Sequence, residues 1–121
     1  MAAYHFKETK VYRKAFESAM EIVEITKSSP KEERYTLTDQ VQRSSRSVCI
    51  NIAEGYRKKQ YPAHFTAQIS DADMESSETS VWLDFALSCQ YIHQQKHEEL
   101  INKNNEIGRR LYHMIQNPEK Y

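Results

Sequence analysis

Residues 62–92 read PAHFTAQISDADMESSETSVWLDFALSCQYI, and this stretch decides the fold. Pro62 stands where a proline is preorganised for the first turn of a helix, and no glycine or second proline interrupts the residues after it. Phe65, Ile69, Ala72, Ser76, Thr79, Leu83, Ala86 and Leu87 recur at the three-and-four spacing that lays them on one stripe. The stretch therefore reads as one helix, roughly 45 Å long at about 1.5 Å per residue. At about 100° per residue Met74, Val81, Phe85 and Ile92 gather nearly opposite that stripe, with Trp82 and Cys89 on one flank. Their separations are those of a seam between helices. A single bundle cannot cover both sides, so the second face reads as an oligomer interface; the alternative is a helix in the middle of the monomer that touches neighbours on both sides.

Three shorter amphipathic segments surround it. Residues 9–27 carry Tyr12, Phe16, Ala19, Met20 and Val23 on a stripe widened by Val11, Ala15, Ile22 and Ile25. A loop follows over residues 28–35, because Pro30 cannot continue a helix and disfavours helical geometry in the residue before it. Residues 37–56 place Leu37, Val41, Ser44 or Ser45, Val48 and Ile52 inward, with the hydroxyls of Thr36 and Thr38 available to cap free amides. Gly55 fits a C-terminal stop in the left-handed conformation that glycine adopts cheaply. After a turn at residues 94–97, residues 98–116 present Leu100, Asn104, Ile107, Leu111 and Ile115, and Pro118 ends that helix. Each helix must bury its stripe and no strand pattern offers a sheet to receive it. The expectation is an all-α, antiparallel up-down-up-down four-helix bundle, with residues 1–121 forming a single domain.

The 121 residues leave no room for a second domain of ordinary size. Seventeen basic side chains balance seventeen acidic ones, so the molecule as a whole has no long-range pull on nucleic acid or anionic lipid. Any such attraction must be local. Between Val41 and Gln60 lie Arg43, Arg46, Arg57, Lys58 and Lys59 against the single acid Glu54, whereas residues 61–95 hold five acids and no Lys or Arg. Arg43, Arg46 and Arg57 fall on the outer side of the second helix with Ile50 among them, and Lys58 and Lys59 continue the stripe. Asp71, Glu75 and Glu78 form an acidic stripe beside Trp82. The basic stripe could contact phosphates, or it could meet the acidic stripe of a neighbouring subunit and fix register. A merely solvated helix face is the third reading.

Catalytic signals are weak. His93 and His97 have the i, i+4 spacing of a metal grip, but they lie at a predicted turn and Gln94 stands where HExxH has glutamate. No G-x-S-x-G, phosphate-cradling glycine loop or Cys-x-x-Cys occurs, and Glu54, Glu75 and Glu78 are not arranged as di-iron ligands. Ser44, Ser45 and Ser76 read as residues that let helices approach closely. Cys49 and Cys89 read as buried small apolar residues rather than a disulfide. The start, MAAYHFKETK, lacks the apolar core of a signal peptide, and no run approaches the ~20 apolar residues of a membrane span, so a cytoplasmic location is expected. No enzyme activity, metal or cofactor is expected.

The segment ERYTLTDQVQRSSRSVCINIAEGYRK, residues 33–58, resembles ERYGLTxQLRRAxxSIPSNIAEGxxR of the four-helix-bundle proteins encoded within intervening sequences of bacterial large-subunit ribosomal RNA genes. The likeness continues through Ala72, Glu78, Leu83, Ala86 and the Tyr91-Ile92 pair. Cys49 stands where that family often has proline, Thr36 where it has glycine, and Met74-Glu75 where it has Gly-Ser. The resemblance implies a bundle that assembles as a ring of five. A related accessory protein of diversity-generating retroelements is similar to a basic pentamer that binds nucleic acid and a reverse transcriptase. Sequence and resemblance together lead to the expectation of a non-enzymatic homo-oligomer. Its interface is expected at Met74, Val81, Trp82, Phe85 and Ile92, and its RNA or DNA contacts at Arg43, Arg46, Arg57, Lys58 and Lys59, with Arg13, Arg109 and Arg110 as further contacts. The alternative is an oligomeric adaptor that docks a partner protein and never touches nucleic acid.

Overall fold

The structure, a computed structural model, describes residues 5–121. Residues 1–4, which begin the segment MAAYHFKETK, lie outside the described residues. Four helices carry the fold: α1 (Lys10–Thr26), α2 (Leu37–Arg57), α3 (Pro62–Ser88) and α4 (Gln94–Gln116), with short 3-10 turns at Phe6–Glu8, Lys31–Glu33 and Pro118–Lys120. No strand occurs among the described residues. The helices form an antiparallel four-helix bundle in which α2 packs most extensively on α3 and the contact of α1 with α4 closes the square. Among the described residues no helix is long and apolar enough to cross a membrane.

The core has two apolar clusters, one at each end. Around Ile52, Phe65, Ile69, Leu111 and Met114 lies the first, which joins the start of α1, the end of α2, the start of α3 and the end of α4. The second gathers Ile22, Leu37, Val41, Leu83, Ala86 and Leu100 at the opposite end. Between them runs a polar belt. Ser44 and Thr79 share a 2.8 Å hydroxyl bond across α2 and α3. Asn104 accepts from Ser76 Oγ at 3.0 Å and donates to the Ser76 carbonyl and to Ser80 Oγ, both at 2.6 Å. The inward serines thus permit close packing and also satisfy one another, as buried polar groups must.

Helix ends depart from expectation in instructive ways. Thr9 caps α1 by accepting from Tyr12 N–H at 3.1 Å. At α2 the Thr36 side chain makes no capping bond; its hydroxyl donates to Glu33, whose carboxylate accepts from the Leu37 amide at 3.3 Å and from Tyr91 Oη at 2.9 Å. Gly55 is not a left-handed stop. It is buried within α2 with ordinary helical backbone, and a Cβ there would lie 2.9 Å from Ile69 Cδ1. Close approach of α2 to α3 is what requires the glycine.

α3 stops at Ser88 rather than continuing to Ile92, and α4 begins at Gln94 rather than Glu98. Gln90 adopts φ 63°, and the amides of Gln90 and Tyr91 donate to the carbonyls of Leu87 and Ala86, both at 2.9 Å. This is a Schellman closure with glutamine where glycine is usual. The residues read as a turn, 94–97, are instead the first turn of α4. Cys89 lies exposed at the α3 terminus, whereas Cys49 is buried, and burial pushes its thiol up to about 11.

Candidate interaction surfaces

α2 positions the predicted basic stripe, and the structure divides that stripe into three environments. Arg43 is turned onto α3, where it pairs with Glu75 at 3.2 Å and with Glu78. The Trp82 indole N–H donates to the same Glu78 carboxylate at 3.0 Å. That indole bond and the Arg43 guanidinium hold Glu78 below its ordinary value of 4.5. The basic and acidic stripes therefore meet within one chain at this point. Arg46 stands apart from that network, has no partner among the described residues, and lines a groove between α1 and α2. Arg57, Lys58 and Lys59 lie at the end of α2. There Lys58 Nζ donates to Gln68 Oε1 at 3.0 Å and Lys59 Nζ sits 4.8 Å from the centre of the Tyr56 ring.

The antiparallel topology adds to this last group side chains that are remote in sequence. The bundle end that holds the first cluster also holds the start of α1 and the end of α4. It brings Lys7, Lys10, Arg13 and Lys14 together with Arg57, Lys58 and Lys59 and with Arg109, Arg110 and Lys120. Ten basic side chains here outnumber the acids of this end, Glu8, Glu54, Asp71, Asp73, Glu106 and Glu119. Glu106 is engaged by Lys14 at 3.2 Å and Arg110 at 2.9 Å, first Arg110 and then Lys14 holding its carboxyl below the ordinary value. Arg57 and Arg109 have no partner among the described residues. Tyr56 and Arg57, with His5 and Phe6, line a recess of about 320 Å³ at this end. The opposite end has Lys27, Lys31, Arg34 and Lys96 against seven carboxylates: Glu24, Glu32, Glu33, Asp39, Asp84, Glu98 and Glu99. A molecule of zero net charge is thus polarised along its axis.

Sequence reasoning named the contribution of α2, and Arg13, Arg109 and Arg110 as further contacts, but did not join them into one end. Its signal was available: basic residues concentrate in the first half of α1 and the last half of α4, and an up-down-up-down bundle puts those halves together.

Two surfaces of the bundle are apolar. On α3, Met74, Val81 and Phe85 are 68%, 52% and 53% exposed on the side away from the core. Trp82 is half-buried against the second cluster, its ring 5.9 Å from that of Phe85. Ile92, expected on the same face, lies beyond the end of α3 and packs partly buried onto the second cluster. The Schellman closure carries it off the seam. The other surface was not anticipated: Phe16, Met20 and Ile50 are exposed along the α1–α2 groove, a recess of about 340 Å³ whose walls include Tyr12, Val23 and Arg46.

His97 Nε2 lies 2.8 Å from Asp84 Oδ1, and His93 is the residue before α4. Among the described residues no group of three or more His, Cys, Asp or Glu side chains could hold a metal ion.

A family model described as 23S rRNA-intervening sequence protein matches residues 7–113. A solved crystal structure of a protein with unknown function, from the S23 ribosomal protein family of Bacteroides thetaiotaomicron VPI-5482, is 30% identical. It superposes with a TM-score of 0.80 over 88% of this chain and 95% of that one. No curated protein matches the chain.

Proposed function

We propose, for a chain that belongs to the 23S rRNA-intervening sequence protein family, a non-enzymatic role: a bundle that associates with copies of itself and binds RNA or DNA through one basic end. The observation that carries nucleic-acid binding is the gathering of ten Lys and Arg side chains at one end of a molecule whose charges sum to zero. Phosphate binding is driven by release of condensed counterions, which needs local and not net positive charge. Arg57, Lys58 and Lys59 remain in this footprint. Arg13 and Arg109, already among the expected contacts, belong to it as well, while Arg43 leaves it because its charge is spent on Glu75 and Glu78. Self-association is supported by the exposed α3 side chains, which leave large apolar groups in water on a helix that has already filled the core with its other face.

Fluorescence titration of a labelled single-stranded RNA and a DNA duplex across a salt series tests the first half. Affinity that falls at least tenfold between 50 and 200 mM salt is expected from roughly three or more phosphate contacts. Arg57→Glu with Arg109→Glu should remove it while helicity is retained. Absence of binding at low salt rejects this half. It leaves the adaptor reading, which the internal neutralisation of Arg43 favours, since it removes one member of the α2 stripe from any polyanion.

A further inference from the structure

We propose that the outward face of α4 takes one unpaired nucleotide of a nucleic-acid strand, its base stacked on the Tyr112 ring and its phosphate held by Arg109 and His113. This rests on the proposed nucleic-acid binding and adds the form of the ligand, a base with no pairing partner. Arg109, Tyr112, His113 and Gln116 follow one another at i, i+3, i+4 and i+7, and all four are exposed, away from the buried Ile107, Leu111 and Met114. On this stripe opens a recess of about 430 Å³, lined by Gly108, Arg109, Tyr112, His113, Gln116 and Asn117. Such a volume suits a small organic group. Tyr112, 60% exposed, offers an aromatic face of the kind on which every base can stack. Arg109 has no partner among the described residues, and His113, whose Nδ1 lies 2.5 Å from Tyr121 Oη, keeps Nε2 for a ligand. One helical turn apart, these two supply the cation and the N–H donor that a phosphate accepts from. Gln116 and Asn117 bring side-chain amides, which can both donate to and accept from base edges. Asn117 already donates from Nδ2 to the His113 carbonyl at 3.0 Å and retains its Oδ1. No carboxylate lines the recess. Asp73 Oδ1 would lie 3.9 Å from a Cβ on Gly108, so the phosphate belongs on the Arg109–His113 row and the uncharged base over Gly108, against Tyr112. An acidic peptide would use the guanidinium and leave the ring and both amides idle.

Two labelled probes test this: a thymidylate strand of about 12 nucleotides and an abasic strand of the same length, which carry the same phosphates and differ only in their bases. Fluorescence titration at low salt should find the thymidylate strand bound roughly five- to 150-fold more tightly, the range for one base stacked on an aromatic side chain. Tyr112→Ala should abolish that preference by weakening the thymidylate strand alone, and Tyr112→Phe should keep it. Tyr112 belongs to neither core cluster, so circular dichroism should show both variants folded. Arg109→Gln should weaken both strands and reduce the salt slope by about one. Tyr35→Ala, at the opposite end where that ring is also exposed, should change neither affinity. Equal affinity of the wild type for the two strands overturns the stacking site and leaves phosphate binding at the basic end standing. So does a preference that survives Tyr112→Ala or is lost in Tyr112→Phe or Tyr35→Ala. Failure of both strands to bind at low salt removes both readings.

Discussion

The two glycines show how identical residues take opposite roles. At Gly55 a Cβ would meet Ile69 Cδ1 at 2.9 Å, and Ile69 is fully buried, so its side chain has no free space into which to retreat. Gly108 lies within α4 with only Asp73 Oδ1 nearby, at 3.9 Å, an ordinary contact. Neither has positive φ. Gly55→Ala should therefore lower stability by about 1–3 kcal/mol, the range for overpacking, despite the better helix propensity of alanine. Gly108→Ala should raise it by about 0.5–1 kcal/mol. Urea denaturation of the two variants checks both signs, and a stabilising Gly55→Ala would mean that α2 and α3 do not approach as closely as described. Nothing in the sequence distinguishes the two glycines, because the distinction lies in what packs on them.

At the scale of elements, the periodic stripes that placed the four helices were legible because burial imposes them, and α3 showed both its faces in advance. The joints were not. Glutamine at position 90 gives no hint of a left-handed residue, yet its conformation shortens α3, adds a turn to α4 and moves Ile92 away from Phe85. Similarly, the cap of α2 comes from Glu33, inside a segment read only as loop. The Glu33 carboxylate also ties that loop to Tyr91. Hydrogen bonds, first from Thr36 and then from Tyr91 and the Leu37 amide, hold its pKa below the ordinary 4.5. A depressed carboxyl contributes stability that is present above its unfolded value and is lost as pH falls through the native one. Glu78 and Glu106 act in the same direction. The melting temperature should thus decline as pH drops below about 4.5, and Glu33→Gln should be less stable than wild type at pH 7 yet show a shallower acid decline. Parallel curves for the two proteins would remove Glu33 from the linkage.

For the whole molecule, the candidate surfaces were only partly legible. Arg57, Lys58 and Lys59 are contiguous in sequence and were visible as a cluster; the basic end is a product of topology, assembled from α1, α2 and α4 and the segments beside them. The groove of Phe16, Met20 and Ile50 was hidden for a different reason. Phe16 and Met20 belong to a stripe that sequence periodicity assigns to the interior, and Ile50 to an outer face read for its charge; the structure leaves all three uncovered side by side. The axial polarisation reaches beyond binding. With an isoelectric point of about 7.0, the protein at neutral pH is a large dipole without net repulsion, so molecules should attract head to tail and precipitate most readily near pH 7. Added electrolyte shortens the reach of that attraction. Solubility measured at pH 7 should climb from about 10 to about 150 mM sodium chloride, the salting-in behaviour of a zwitterion.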